Sequence, residues 1–460
     1  MAADPPLGRR RKVASPADRA QARRRPSRLT TSRVRGNISR LQEGACIPAP
    51  SRSLPGLGGY RLLGLIGLGA VTARLAHSVW LHRPLLIGGD LDVYAAYASR
   101  IAAGQIPYRD FPVEYPPLSL LAFLLPRLAT PLAGAGYPAG FVLLMLLLAA
   151  AIGVAAARTE VRLTGSSPGV SSFLVFAAGS ILLAPVMLRR YDLLPAACTG
   201  LALLALLGGR SRASGWWLGL GVVAKLYPAV VVPIFCAERL ARRDGKGASA
   251  LVQGGLLAGA LTLLPFALLS PSGLWRTWSY HVERGLQVES VAGGLVLLAA
   301  RLGWTPVSIV QTFGAHQVVN GWAPRIAGVL PVATALSVGL LTTLAYQRFR
   351  QDHAAGRDTG PAVVGYTMLV LLAFMLTSKV LSPQYLVWTL PLLPLLPRRR
   401  ALCLLGAYGL TAVVFPWLYW SLVSLEWPGV AGVNLRNGVL VLLAIALVRD
   451  VRPAAGGGTI

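Results

Sequence analysis

From Leu62 onward the chain is a series of apolar blocks separated by short polar stretches. An apolar helix of about 20 residues crosses about 30 Å of hydrocarbon, and blocks near that length recur as far as Val448. The pattern predicts spans at 62–81, 117–131, 140–157, 170–188, 193–208, 215–236 and 250–270, and then at 327–346, 361–378, 384–397, 401–422 and 436–449. Gly140–Ala157 and Ala401–Leu422 are the clearest. Between 291 and 318 Arg301, Pro306 and His316 interrupt the pattern, which predicts short or re-entrant helices there. The expected fold is all-α: a polytopic integral membrane protein with about 11 to 13 transmembrane helices. No internal repeat of short period is visible.

Composition supports this class. The chain has 54% hydrophobic and only 13% charged residues, against about 25% charged in soluble domains. A formal charge of +27 raises nucleic acid as a partner, but its distribution argues otherwise. Residues 1–55 carry thirteen Arg or Lys against three acids, and the remaining excess lies in short loops. Basic flanks on one side are what the positive-inside rule requires. The strong basic loops Arg239–Lys246, Arg348–Arg357 and Arg398–Arg400 are therefore placed inside with the N-terminus. Residues 82–115, Ser270–Ser290 and Lys379–Gln384 then share the outer face. Arg210 and Arg212 also belong inside, which requires a helix broken near Lys225-Leu226-Tyr227-Pro228.

Three segments are expected: a basic, disordered cytoplasmic head at 1–55, a polytopic domain at 56–450 and a short tail at 451–460. The head is rich in Pro and Ser and could rest on anionic lipid. A cleavable signal peptide is not expected, because the first apolar run starts too far into the chain. Cys46, Cys198, Cys236 and Cys403 form no Cys-x-x-Cys pair, so neither a disulfide framework nor a metal site is expected.

Charge inside the apolar domain is scarce and therefore informative. The first outer loop reads Gly-Gly-Asp90-Leu-Asp92-Val-Tyr94 and continues to Arg109-Asp110 and Glu114-Tyr115-Pro116-Pro117. A helix over 90–103 puts Asp90, Tyr94 and Tyr97 on one face, with Asp92 about 160° away. One aspartate is then a candidate base and the other a helix cap, and the offset argues against a shared metal ion. Asp110 is expected to pair with Arg109 or Arg100. Arg189-Arg190-Tyr191-Asp192 is either a functional cluster or a loop with an Arg190–Asp192 ion pair. Lys225 lies deep in an apolar run, where a charge needs a partner, a cavity or a reach to the interface. His281-Val-Glu-Arg284-Gly-Leu-Gln287-Val-Glu289 suits an anion and hydroxyl groups, or is a solvated loop. Lys379 and Gln384 break two apolar runs. A Walker-type phosphate loop, His-Glu-x-x-His and Gly-x-Ser-x-Gly are all missing from the sequence.

Taken in order, these blocks resemble glycosyltransferase family 87, within the GT-C superfamily of polytopic membrane transferases. The resemblance runs from about Gly56 to Asp450. It is carried by Asp90-Leu91-x-Val93-Tyr94, Gly104-x-Ile106-Pro107-Tyr108 with Glu114-Tyr115-Pro116-Pro117, Tyr191-Asp192-x-x-Pro195, Lys225-x-x-Pro228, Arg284-x-x-Gln287-x-Glu289-Ser290 and Ser382-Pro383-Gln384-Tyr385. It implies a GT-C fold with an outer-face active site, a polyprenyl phosphate sugar as donor (most familiarly mannose) and a glycolipid or cell-wall glycan as acceptor. No cofactor is implied. The base maps to Asp90, with Asp92 as the alternative. Such chemistry needs cations for phosphate, assigned to Lys379, Arg284, Lys225 and His281. It also needs sugar or acceptor contacts, assigned to Tyr94, Glu114, Tyr115, Asp192, Gln287, Glu289 and Gln384. The competing class is a transporter or flippase, which usually shows internal repeats and mid-membrane sites.

Overall fold

A computed structural model describes residues 89–133 and 136–451. The basic head, the span expected at 62–81 and residues 452–460 lie outside the described residues.

Fifteen α-helices carry the described chain: α1 (Asp90–Ala102), α2 (Ser119–Ala133), α3 (Tyr137–Thr164), α4 (Val170–Met187), α5 (Leu193–Leu207), α6 (Ser211–Ala224), α7 (Val232–Ala241), α8 (Gly245–Leu269), α9 (Pro271–Glu283), α10 (Val291–Arg301), α11 (Ala323–Ala354), α12 (Gly360–Thr377), α13 (Arg398–Ala412), α14 (Tyr419–Val423) and α15 (Trp427–Val451). By length and composition seven segments can cross a membrane: α3, α4, α8, α11, α12, α15, and α13 with the π-helical turn that extends it to Trp417. Shorter apolar helices, α5 among them, add to these. The fold is an all-α polytopic membrane protein. Helix α12 buries thirteen of its eighteen residues and is the central rod. Helix α8 turns Leu256, Leu257, Leu261, Leu264 and Leu268 outward, as a helix against lipid does.

Small residues bring helices together where lipid supplies no hydrophobic drive. A Cβ on Gly215 would sit 1.7 Å from the Leu251 carbonyl oxygen, and one on Gly219 would sit 2.4 Å from that of Gly255. Helices α6 and α8 thus pack backbone to backbone along glycines four residues apart.

The bundle has two chemically distinct ends. At one, Arg239 donates to the Leu206 carbonyl (3.2 Å), Arg242 to Thr359 Oγ1 (2.6 Å) and Arg348 to the Val451 carbonyl (2.8 Å), while Arg400 pairs with Asp450 (2.7 Å). These contacts knit the ends of α5, α7, α11 and α15 to the starts of α12 and α13. At the other end α4, α6 and α12 finish and α5 and α15 begin.

The chain breaks after Ala224 as the charge pattern requires. Lys225 is extended, Tyr227–Val231 is a 3-10 turn, and α7 runs back. Arg210 and Arg239–Arg243 therefore share the basic end. Pro228 supplies no N–H for a continuous helix and disfavours the helical region for the residue before it.

Three local expectations are corrected. The apolar run at 384–397 forms no α-helix. It makes 3-10 turns at Pro383–Thr389 and Leu393–Leu395, because Pro383, Pro391, Pro394 and Pro397 recur too often for one. Leu386, Val387, Trp388, Leu390, Leu392 and Leu393 are all buried, which fits the rule that irregular backbone at membrane depth is covered by protein. The second half of 291–318 is a hairpin, not a re-entrant helix. Strands β2 (Ser308–Thr312) and β3 (Ala315–Val319) are antiparallel, and β1 (Leu286–Gln287) flanks β3. The two-residue turn Phe313-Gly314 has φ of 50° and 65°, the left-handed geometry of a tight hairpin. The run 401–422 is also interrupted, at the π-helical turn Val413–Trp417 containing Pro416.

Candidate active site

The elements meeting at the second end enclose a cavity of about 340 Å³. It is lined by twelve of the thirteen side chains singled out from sequence: Asp90, Tyr94, Glu114, Tyr115, Asp192, Lys225, His281, Arg284, Gln287, Glu289, Lys379 and Gln384. Segments nearly three hundred residues apart converge here because the ends of α4, α6 and α12 coincide.

Helix α1 delivers Asp90 in its first turn, where a carboxylate is favoured. Asp90 is not the cap, which is Gly89. Its carboxylate is ion-paired with Arg190 and accepts from Tyr94 Oη at 3.4 Å. Tyr94 is anchored in turn by stacking on Phe123 at 4.2 Å. Asp92, the alternative base, is exposed on the other side of α1 and does not line the cavity. The helical offset that separates the two aspartates removes it from the site.

The loop after α1 is fastened rather than free. Tyr108 Oη donates to the Tyr115 carbonyl (2.6 Å). Ser270 Oγ, at the N-cap of α9, and Thr277 Oγ1, within it, donate to the carbonyls of Tyr108 (3.0 Å) and Val113 (2.6 Å). Asp110 pairs with Arg109 at 2.8 Å and accepts from the Ile106 amide. It lies away from the cavity, whereas Glu114 and Tyr115 line it.

Between α4 and α5 the pairing differs from that expected. Arg190 joins Asp90, and Asp192 takes Lys225. Asp192 Oδ1 accepts from Lys225 Nζ and from Trp388 Nε1, each at 2.7 Å. The lysine thus meets a carboxylate across the broken helix, and the rings of Tyr191, Trp388 and Tyr385 stand 5.1, 5.6 and 5.7 Å from Nζ.

The segment after α9 mixes internal braces with open groups. The Gln287 side chain donates to Ser382 Oγ (3.0 Å) and accepts from the Leu381 amide (2.9 Å); it braces the Ser382–Tyr385 turn. Glu289 pairs with buried Arg436 at 3.4 Å, and Arg436 also donates to the Glu289 carbonyl at 2.5 Å. Burial pushes the Glu289 carboxyl up to about 7, against the pull of Arg436. His281 is pushed down to about 4 by burial and then by Arg284 and Lys225, so it is a neutral hydrogen-bonding group at neutral pH rather than a cation. Lys379 Nζ donates to the Val282 carbonyl at 2.6 Å; burial, then Arg284, lowers its pKa. Among the described residues neither Arg284 nor Lys379 forms an ion pair, and Arg284 Nε is buried without a protein partner.

The end of the bundle that holds the cavity also bears Trp275, Trp278, Trp304, Trp322, Trp417, Trp420 and Trp427, all exposed. Such a belt marks a membrane–water interface.

The sequence model of glycosyltransferase family 87 matches residues 113–378. The chain belongs to glycosyltransferase family 87. It is a polytopic membrane glycosyltransferase. No curated protein matches the chain. Among solved structures it is similar to ArnT from Cupriavidus metallidurans, whose crystal structure is bound to undecaprenyl phosphate. The identity is 15%, with 85% of this chain and 78% of that chain covered, at a TM-score of 0.47.

The transferase's cavity holds groups that sequence reasoning did not place there. Arg190, Trp388, Tyr385, Tyr280, Phe313 and Tyr419 all line it. The hairpin tip was hidden because the hairpin itself was read as helical. Trp388 was hidden inside an apolar run read as a span. Arg436 gave a signal that was overlooked: an arginine within the apolar block of α15 needed a buried partner.

Proposed function

We propose that the transferase moves a hexosyl group, most familiarly mannosyl, from a polyprenyl phosphate to a glycolipid or cell-wall glycan on the outer face of the membrane. The observation that supports this reading is one cavity holding a carboxylate, Asp90, together with two cations, Arg284 and Lys379, that form no ion pair among the described residues. A lipid-borne phosphate donor fits both the cations and the tryptophan belt. The arginine clusters at the opposite end support an outward-facing site through the positive-inside rule.

In this reading Asp90 takes the proton of the acceptor hydroxyl. The acceptor oxygen forms a bond to the anomeric carbon as the bond from that carbon to the phosphate oxygen breaks. The electron pair leaves with polyprenyl phosphate, whose charge Arg284 and Lys379 meet. Arg190 and Tyr94 hold Asp90 in place. One base and one displacement give inversion at the anomeric carbon. The twelve-residue cluster at one end of the bundle favours this chemistry over a flippase, whose binding groups gather near the bilayer midplane.

The test offers the purified protein radiolabelled mannosyl and glucosyl polyprenyl phosphates, and the matching nucleotide sugars, with a total lipid extract as acceptor. Labelled product from a polyprenyl phosphate donor alone is expected. Product from a nucleotide sugar alone, or lipid translocation in vesicles with no transfer, overturns the reading.

A further inference from the structure

Among the described residues, two buried polar atoms of side chains on this cavity lack a partner: Arg284 Nε and Asp192 Oδ2. Arg284 is already accounted for by a phosphate. Asp192 is not. Its residue is fully buried, and its other oxygen is doubly held, by Lys225 Nζ and Trp388 Nε1 at 2.7 Å each. Buried polar atoms are nearly always satisfied, and leaving one bare is costly. The two donors fix the carboxylate's rotation and leave Oδ2 a bare, buried acceptor on a residue that lines the cavity.

The wall beside it is flat and aromatic. Trp388 stacks between Tyr227, at 4.0 Å, and Tyr385, at 3.9 Å, with interplanar angles of 6° and 24°. A rigid aromatic face beside a fixed acceptor suits a hexose, whose ring offers an apolar C–H face and hydroxyl donors at its edge. A second cation is not needed, because Lys225 already balances the carboxylate's charge.

We infer that Asp192 Oδ2 accepts a hydrogen bond from one hydroxyl of the transferred hexose, with the face of Tyr385 turned away from Trp388 against the ring, and that this contact selects the donor sugar. The inference rests on the glycosyl polyprenyl phosphate reading. It adds the sugar subsite, and it makes Lys225 a positioning residue for Asp192 instead of a phosphate ligand.

A site that hydrogen-bonds a substrate hydroxyl rejects the analogue lacking it, because its own group is left bare. The test measures kcat/KM for the accepted hexosyl polyprenyl phosphate and for its 2-, 3-, 4- and 6-deoxy analogues. In the wild type one deoxy analogue is expected to lose about 10- to 100-fold against the parent. In Asp192→Asn that one ratio collapses towards unity, while the other three ratios stay as they were. A purely structural Asp192 lowers all five substrates together and leaves every ratio unchanged, which overturns the inference. If the variant does not fold, the wild-type series decides alone: four deoxy analogues within about threefold of the parent sink it. If the wild type transfers from no polyprenyl phosphate donor, the donor reading has failed, and the deoxy comparison identifies that separately.

Discussion

At the scale of single residues the site depends on which charges are already spent. Asp192 is held by Lys225, Glu289 by Arg436 and Asp90 by Arg190. Arg284 and Lys379 form no ion pair among the described residues, and in the proposed reaction they meet the donor phosphate. Replacing Arg284 with Gln is expected to lower kcat/KM by about 10- to 100-fold, the usual worth of a charge-assisted contact. A loss below twofold in steady-state assays contradicts that role. Asp92→Asn is expected to leave turnover within about twofold, as for a surface substitution. His281 supplies a pH signature. Its folded pKa of about 4 lies below the ordinary 6.5, so the folded state binds its proton less tightly than the unfolded state. The stability this gives is present above pH 6.5 and is lost as pH falls toward 4. Melting curves of the wild type should therefore fall over that window by more than those of His281→Asn, by about 2–3 kcal/mol. Parallel curves contradict the prediction.

At the scale of elements, the glycine contact of α6 on α8 holds the Lys225 break in register. Gly219→Leu is expected to cost about 1–3 kcal/mol or more by forcing the helices apart. Gly259→Ala, which meets nothing within 4 Å, should leave the melting temperature within about 1 °C. Equal melting temperatures for both variants contradict the packing described. What the sequence could reveal of the elements follows the same physics. Long Leu- and Ala-rich blocks announced their helices because length and composition suffice. The break at Lys225 was legible because a charge and a proline fell together in an apolar run. The hairpin at 308–319 was not, since a short apolar run is ambiguous between strand and buried helix. The proline-spaced 3-10 segment at 383–395 was not, because a covered apolar run and a membrane span at 384–397 have the same composition.

At the scale of the molecule, arginine at one end and tryptophan at the other support the proposed orientation of the bundle. The candidate residues were legible individually, because buried charge is rare and each needed a reason. Their convergence was less so. Which carboxylate takes which cation depends on where helices end in space: the Arg190–Asp192 pair that the sequence offers as one alternative gives way to Arg190 with Asp90. In a background without native cysteines, Gln105→Cys is expected to react with an impermeant maleimide on intact cells, and Lys246→Cys only after permeabilisation. The reverse pattern contradicts the outward-facing site.

The most direct test is transfer of labelled hexose from a polyprenyl phosphate by purified wild type, Asp90→Asn and Asp92→Asn, each shown to be folded. The account predicts a loss of about 10²–10⁴-fold for Asp90→Asn alone, the range for removing a general base. Turnover by Asp90→Asn equal to wild type, or a comparable loss confined to Asp92→Asn, contradicts it.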